Sequence, residues 1–398
     1  MCKVIVHNQT QAELGDAEIK RHTVADILRF MWDNYLGTHI VRDVERKEVE
    51  KALLCRSGLN GVFIYICASC GESAYQLLGC NSRICASCGK RYTDQWAKSL
   101  SKAMFKVIHR HFVLSVPSQI WPYLKENRAL WKTYMDSAIE TCNDYFPKIM
   151  KNHLIRPGCI VVLHPFGKDM KFQPHLHVIA TEGGFLGNDF VPKKFFPARQ
   201  FAKCWQYHVS KNLQQAGMPN SLFSELYKKY DGFYVWIHKN GTIYDPKDIA
   251  KYLGRYVRHP AIANSRILEF DEKTVKFYYN DVRDNGTTRH EVTMEINEFI
   301  SALIQHIPDR QFKMIRYYGV YARRAKKTFY KSSLQSSIAS TVQDTLYMTG
   351  WKFKPMCPHC GGFLCFIGFQ KIPPPDDHYH WDIKNSDLVR WKNLSMKN

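Results

Sequence analysis

Two absences narrow this 398-residue sequence at once. No run of eighteen or more apolar residues marks a membrane span. The opening Met-Cys-Lys-Val-Ile-Val-His lacks the long apolar core of a secretory signal. Acidic residues are also scarce: 36 Asp and Glu stand against 56 Lys and Arg, a formal charge of +20. That excess favours a polyanionic partner, and 14% aromatic residues make single-stranded nucleic acid the natural candidate. A merely basic surface is the plainer alternative. The length leaves room for two or three domains with a sizeable core.

Thirteen cysteines would suit a secreted disulfide scaffold, but five crowd into residues 67–88, the pattern of metal binding in a reducing compartment. A cytoplasmic, nucleoid-associated protein is expected. Cys67-x2-Cys70 and Cys85-x2-Cys88 lie fourteen residues apart and predict one four-thiolate zinc site, with Cys80 as a fifth candidate and Cys55 as core. Four thiolates leave no open position for water, so this zinc would be structural. Arg83, Lys90 and Arg91 beside it suit DNA phosphates or a solvated rim equally. Cys357-x2-Cys360 looks like half of a second zinc site, for which Cys365, His378 and His380 are partners of unconvincing spacing.

The coarse organisation is a helical segment over 1–54, a zinc-binding module over 55–92, a catalytic domain over 93–330 and a basic tail over 331–398. Strands are expected at 108–116 and 159–163, and helices at 121–153 and 197–216. A hairpin turns around Asp284-Asn285-Gly286.

The chemistry concentrates in two places. Gln-Pro-His-Leu-His-Val-Ile-Ala-Thr-Glu-Gly-Gly (173–184) is an apolar run with two histidines, and a strand's period of two would set His175 and His177 on one face. Two satisfied core histidines are the plain alternative to metal ligands. Gln173 shares that face by period, and His164 and His111 are further ligand candidates, so the third protein ligand stays open. Asp-Pro-Lys-Asp-Ile-Ala-Lys-Tyr-Leu-Gly-Arg-Tyr-Val-Arg (245–258) opens with a helix-start signal and carries Tyr252 and Tyr256 at i and i+4. Taken alone, those tyrosines would as readily widen a buried helix face. Paired with His-x-His they become candidate nucleophiles, with Arg255, Arg258 and Arg316 as candidate DNA contacts.

Together these segments resemble the HUH endonucleases, in which U is a hydrophobic residue, and more narrowly the two-tyrosine rolling-circle transposases. The resemblance runs over roughly residues 50–365. It takes in the cysteine cluster, Val-Leu-His-Pro-Phe-Gly (162–167), the histidine strand and Tyr-Leu-Gly-Arg-Tyr (252–256). It continues through Glu298-Phe299-Ile300, Ile-Arg-Tyr-Tyr-Gly (315–319) and Cys-Pro-His-Cys-Gly (357–361). It implies an α+β fold, a palm-like antiparallel sheet with flanking helices behind a small zinc module. It implies catalytic Mg²⁺ or Mn²⁺, where the imidazoles alone would equally admit zinc. It also implies nicking and rejoining of single-stranded DNA at element ends and target through 5′-phosphotyrosine; the sequence leaves monomer and homodimer both open. A replication initiator or relaxase would use the same chemistry. A catalytically silent zinc-dependent DNA-binding protein and an unrelated His-x-His metallohydrolase are the other rivals.

Overall fold

Apolar residues at helical spacing (Ile27, Leu28, Trp32, Tyr35) make the buried face of the first helix, α1 (Val24–Thr38). Its start is fixed by a capping box in which Thr23 accepts from the Asp26 amide and Asp26 accepts from the Thr23 amide. The structure is a computed structural model describing residues 22–193, 197–243, 245–254, 261–283, 286–322 and 356–370. After α1 come α2 (Asp43–Leu53), the hairpin of β1 (Val62–Cys67) and β2 (Ser73–Leu77), and α3 (Ala86–Ala103). Strand β3 (His109–Ser115), α4 (Trp121–Glu126) and the long α5 (Leu130–Met150) lead into β4 (Gly158–Phe166) and β5 (Phe172–Thr181). A small hairpin, β6 (Gly183–Leu186) with β7 (Asp189–Pro192), precedes α6 (Ala198–Gln215) and α7 (Asn220–Lys229). Then follow β8 (Val235–Ile243), α8 (Pro246–Gly254), β9 (Ile267–Phe270), β10 (Thr274–Arg283) and β11 (Gly286–Glu295). The described chain closes with α9 (Ile296–Ile304), β12 (Ile315–Gly319) and β13 (Leu364–Gln370).

Five strands make the central sheet in the order β12-β4-β5-β3-β8, every neighbouring pair antiparallel. With helices on its faces the fold is α+β, as expected. Strands β4 and β5 are apolar almost throughout because both sheet faces are covered. Leu114, Val161, Leu163, Leu176 and Val178 pack with Tyr134 and Ala138 of α5 and Trp205 and Val209 of α6. On the other face Ile160, Val162 and Ile179 pack with Leu100 of α3, Met104 just beyond it, and Ile249 and Ala250 of α8. Because side chains alternate along a strand, His175 and His177 fall on this second face with Ile179.

The sheet β11-β10-β9 makes a second core with α9 and, from the far end of the sequence, α1 and α2. Helices α1 and α2 of the N-terminal segment are therefore packed against the hairpin extension. Strand β13, expected in a separate tail, joins β1 and β2 in a third sheet of order β13-β1-β2.

Candidate metal and tyrosine centre

Antiparallel pairing of β4 with β5 sets His164 directly opposite His175 and Val162 opposite His177. One ring nitrogen each from His164, His175 and His177 lies within 4.8 Å of the others. His164 Nδ1 and His175 Nε2 are 3.1 Å apart. Cis ligands on an octahedral ion with bonds of about 2.1 Å lie about 3 Å apart, so this pair fits one divalent ion. The Gln173 carbonyl accepts from His175 Nδ1 at 2.7 Å, which aims Nε2 into the cluster. On β3, His111 Nε2 stands 3.1 Å from His177 Nδ1 with the two rings stacked, and so fixes the orientation of the innermost imidazole.

Burial lowers the pKa of His175, and burial followed by the three neighbouring imidazoles drives that of His177 well below the ordinary histidine value. Both rings are thus neutral near pH 7, the state that ligates metals. Gln173, expected as a possible ligand, lies elsewhere: its Oε1 sits against Gly167 in the β4–β5 turn, 3.0 Å from where a Cβ would be. Its backbone positions His175, and the third side chain of the cluster is His164.

The helix-start signal at Asp245 is realised in α8, where the Lys247 amide donates to Asp245 Oδ1 at 2.8 Å. Helix α8 carries Tyr252 and lies on the histidine face of the sheet, held there by Ile249 and Ala250. It also packs on α3, where Gly254 comes so close that a Cβ would meet Thr93 Cγ2 at 3.1 Å. Tyr256, Arg255 and Arg258 lie outside the described residues. Arg316 does not join this site. It sits opposite Val161, so it points to the α5 face, where it neighbours Asp136 at 3.9 Å.

The cysteines correct the sequence reading. The expected quartet of Cys67, Cys70, Cys85 and Cys88 is split between two clusters, Cys55/Cys80/Cys85/Cys88 and Cys67/Cys70/Cys357/Cys360. In the first, Sγ–Sγ distances are 3.6 Å for Cys55–Cys85, 3.7 Å for Cys55–Cys88 and 3.8 Å for Cys80–Cys88. Zinc–sulfur bonds of about 2.3 Å put tetrahedral ligands about 3.8 Å apart, so the residues fit zinc. Cys55, read as core, and Cys80, read as an extra, are both members. Within this network hydrogen bonds among the thiols pull Cys88 below the ordinary thiol range and push Cys80 and Cys85 above it. Cys85 immediately precedes α3 and Cys88 lies in its first turn, so this cluster anchors the helix on which α8 packs.

The identical pentapeptide Cys-Ala-Ser-Cys-Gly occurs at 67–71 and 85–89 and folds in two ways. At 85–89 it starts a helix; at 67–71 it makes a turn in which the Gly71 amide donates to the Cys67 carbonyl with Gly71 at φ +69°. The partners of Cys357 and Cys360 are accordingly Cys67 and Cys70. Cys365 lies exposed on β13 outside the cluster, and His378 and His380 lie outside the described residues. No helix among the described residues is long and apolar enough to cross a membrane.

Comparison with known proteins finds transposases. Residues 158–328 match a family described as "putative transposase", and residues 27–116 match the transposase zinc-binding domain. The transposase of insertion sequence element IS801 from Pseudomonas savastanoi pv. phaseolicola is 28% identical over 309 residues, covering 74% of each chain. A "putative transposase y4qJ" from Sinorhizobium fredii (strain NBRC 101917 / NGR234) is 26% identical over 326 residues, 76% of this chain and 81% of that one. Among solved structures, the origin-recognition/nickase domain of non-structural protein 1 from human bocavirus matches 51% of this chain and 97% of its own. That likeness has a TM-score of 0.26 and 10% identity. The chain belongs to the HUH transposases of the IS801/IS91 type, with a transposase zinc-binding domain ahead of the catalytic part.

Proposed function

We propose that this transposase nicks and rejoins single-stranded DNA through 5′-phosphotyrosine intermediates, in transposition of the rolling-circle type. The observation that carries the reading is the shared sheet face. Helix α8, bearing Tyr252, packs on the face that clusters the nitrogens of His164, His175 and His177. Those three histidines would hold Mg²⁺ or Mn²⁺, which when bound polarises a phosphate oxygen and orients the scissile phosphodiester. His111 and the Gln173 carbonyl keep the imidazoles aimed, and burial keeps them neutral.

In the proposed step the Tyr252 or Tyr256 oxygen bonds to phosphorus as the P–O3′ bond breaks. The phenol's proton is given up and the departing oxygen leaves as a 3′-hydroxyl. The covalent link conserves the energy of the bond, so a second 3′-hydroxyl attacks it without ATP and the tyrosine regains its proton. Two tyrosines let one strand stay held while another is exchanged. Arg255 and Arg258, next to Tyr256 in sequence, are assigned to phosphates. The cluster of Cys55, Cys80, Cys85 and Cys88 would hold structural zinc and, through α3, brace the tyrosine helix.

The test is a covalent-adduct assay with labelled single strands from both element ends and Mn²⁺, resolved on a denaturing gel. An adduct is expected with the wild-type protein, and none with His175→Ala or the double variant Tyr252→Phe/Tyr256→Phe. DNA retained without an adduct on any strand would replace this reading with a silent DNA-binding descendant. An adduct that survives both tyrosine substitutions would dispose of the assigned nucleophiles.

A further inference from the structure

We propose that Cys67, Cys70, Cys357 and Cys360 hold a second structural zinc, and that this ion docks residues 356–370 on the N-terminal module. The matched zinc-binding domain ends at residue 116, so half of this ligand set lies outside it. Three independent observations carry the assignment.

The first is distance. Cys67 and Cys360 Sγ are 3.5 Å apart and Cys70 and Cys357 Sγ are 3.7 Å apart, with all four within 4.8 Å of one another. These approach the edge of about 3.8 Å of a tetrahedral zinc thiolate site.

The second is that the two halves repeat one turn. The Cys67 amide donates to the Glu72 carbonyl at 2.8 Å, and the Cys357 amide donates to the Gly362 carbonyl at 2.7 Å. The Gly71 amide donates to the Cys67 carbonyl and the Gly361 amide to the Cys357 carbonyl, both at 2.9 Å. The two glycines have φ of +69° and +73°, a conformation that favours glycine. Each turn closes a short antiparallel pairing, β1 with β2 in one and Met356 with Phe363 in the other. Two matched knuckles facing each other are a complete zinc ribbon whose halves come from opposite ends of the sequence.

The third is the poverty of the core. Leu364 is the one buried residue of β13, while Phe366, Ile367 and Phe369 are about half exposed. The cluster beneath consists of Cys67, Ala74, Cys357 and Leu364, with Tyr65 against it. So little apolar burial does not hold a three-stranded sheet in water, and metal binding is the usual substitute in so small a unit.

Zinc content per chain, measured by elemental analysis and native mass spectrometry, tests the proposal. The double variant Cys357→Ser/Cys360→Ser is expected to carry one zinc fewer than wild type and to lose hydrogen-exchange protection over 364–370. The central sheet should keep its protection. Cys365→Ser, on the same strand outside the cluster, should keep the full content. Unchanged zinc in the double variant, or a wild-type mass showing disulfides among these cysteines, would overturn the assignment. Should the variant fail to fold, stepwise chelation of wild-type protein with alkylation mapping still decides. Cys67, Cys70, Cys357 and Cys360 should become reactive together, and reaction of the two pairs in separate steps would refute a shared ion.

Discussion

Acid should loosen the contact between α9 and the end of β4 before it reaches the carboxylates, and His306 sets the size of the effect. Its ring stacks on Phe166 at 3.9 Å between centroids, two residues beyond His164, and its Nδ1 donates to the Ala302 carbonyl at 2.8 Å. Burial holds its pKa down to about 4, against an ordinary 6.5. Between those values the unfolded chain takes a proton that the folded site refuses, so stability is intact above pH 6.5 and falls as pH drops toward 4. With 1.36 kcal/mol per pKa unit, the loss from this one group is about 2 kcal/mol at pH 5 and about 3 kcal/mol at pH 4. The direct measurement is a histidine ¹³C chemical-shift titration, with His306 identified by its absence in His306→Phe. Urea unfolding at pH 7 and pH 5 gives the energetic check: the Phe variant should lose about 2 kcal/mol less than wild type between the two. Titration of His306 near 6.5, or equal losses in both proteins, would refute the reasoning.

Two further outcomes follow from the same geometry. His111→Phe keeps a ring in the core but removes the nitrogen that faces His177, and is expected to weaken Mn²⁺ binding about 10- to 100-fold by calorimetry on zinc-loaded protein. Unchanged affinity would mean that His111 only packs. Glu182→Gln removes the buried carboxylate paired with Arg110 and is expected to cost about 3–5 kcal/mol in urea unfolding. A cost below about 1 kcal/mol would show that the pair contributes no more than a surface one.

The histidine face and the start of the tyrosine helix were legible because their signals are local. His-Leu-His inside an apolar run has only one arrangement as a strand, and Asp-Pro-x-Asp begins a helix almost irrespective of context. His164 could be named but not chosen over Gln173, since the choice depends on the register of β4 against β5 and on which way Gln173 turns. The cysteines were misgrouped for a physical reason. Spacing favours partners near in sequence, yet Cys70 and Cys357 meet across 287 residues. The same five residues at 67–71 and 85–89 also carry no local sign that one is a turn and the other a helix start. Nothing in Arg316 itself says which face of an edge strand it takes; that follows from its pairing with Val161. The packing of α1 and α2 on the hairpin was equally invisible, since their apolar stripes specify a partner of no particular address.

The ribbon joining β1 to β13 also sets an order of events during synthesis. Cys67 and Cys70 leave the ribosome nearly three hundred residues before Cys357 and Cys360, a delay on the order of 15–60 s at ordinary elongation rates. For that interval the nascent chain presents an open dithiol turn while its central sheet is already being made. Closure therefore reports that translation has passed residue 360, and a message cut short upstream yields a protein whose first module stays permanently half built.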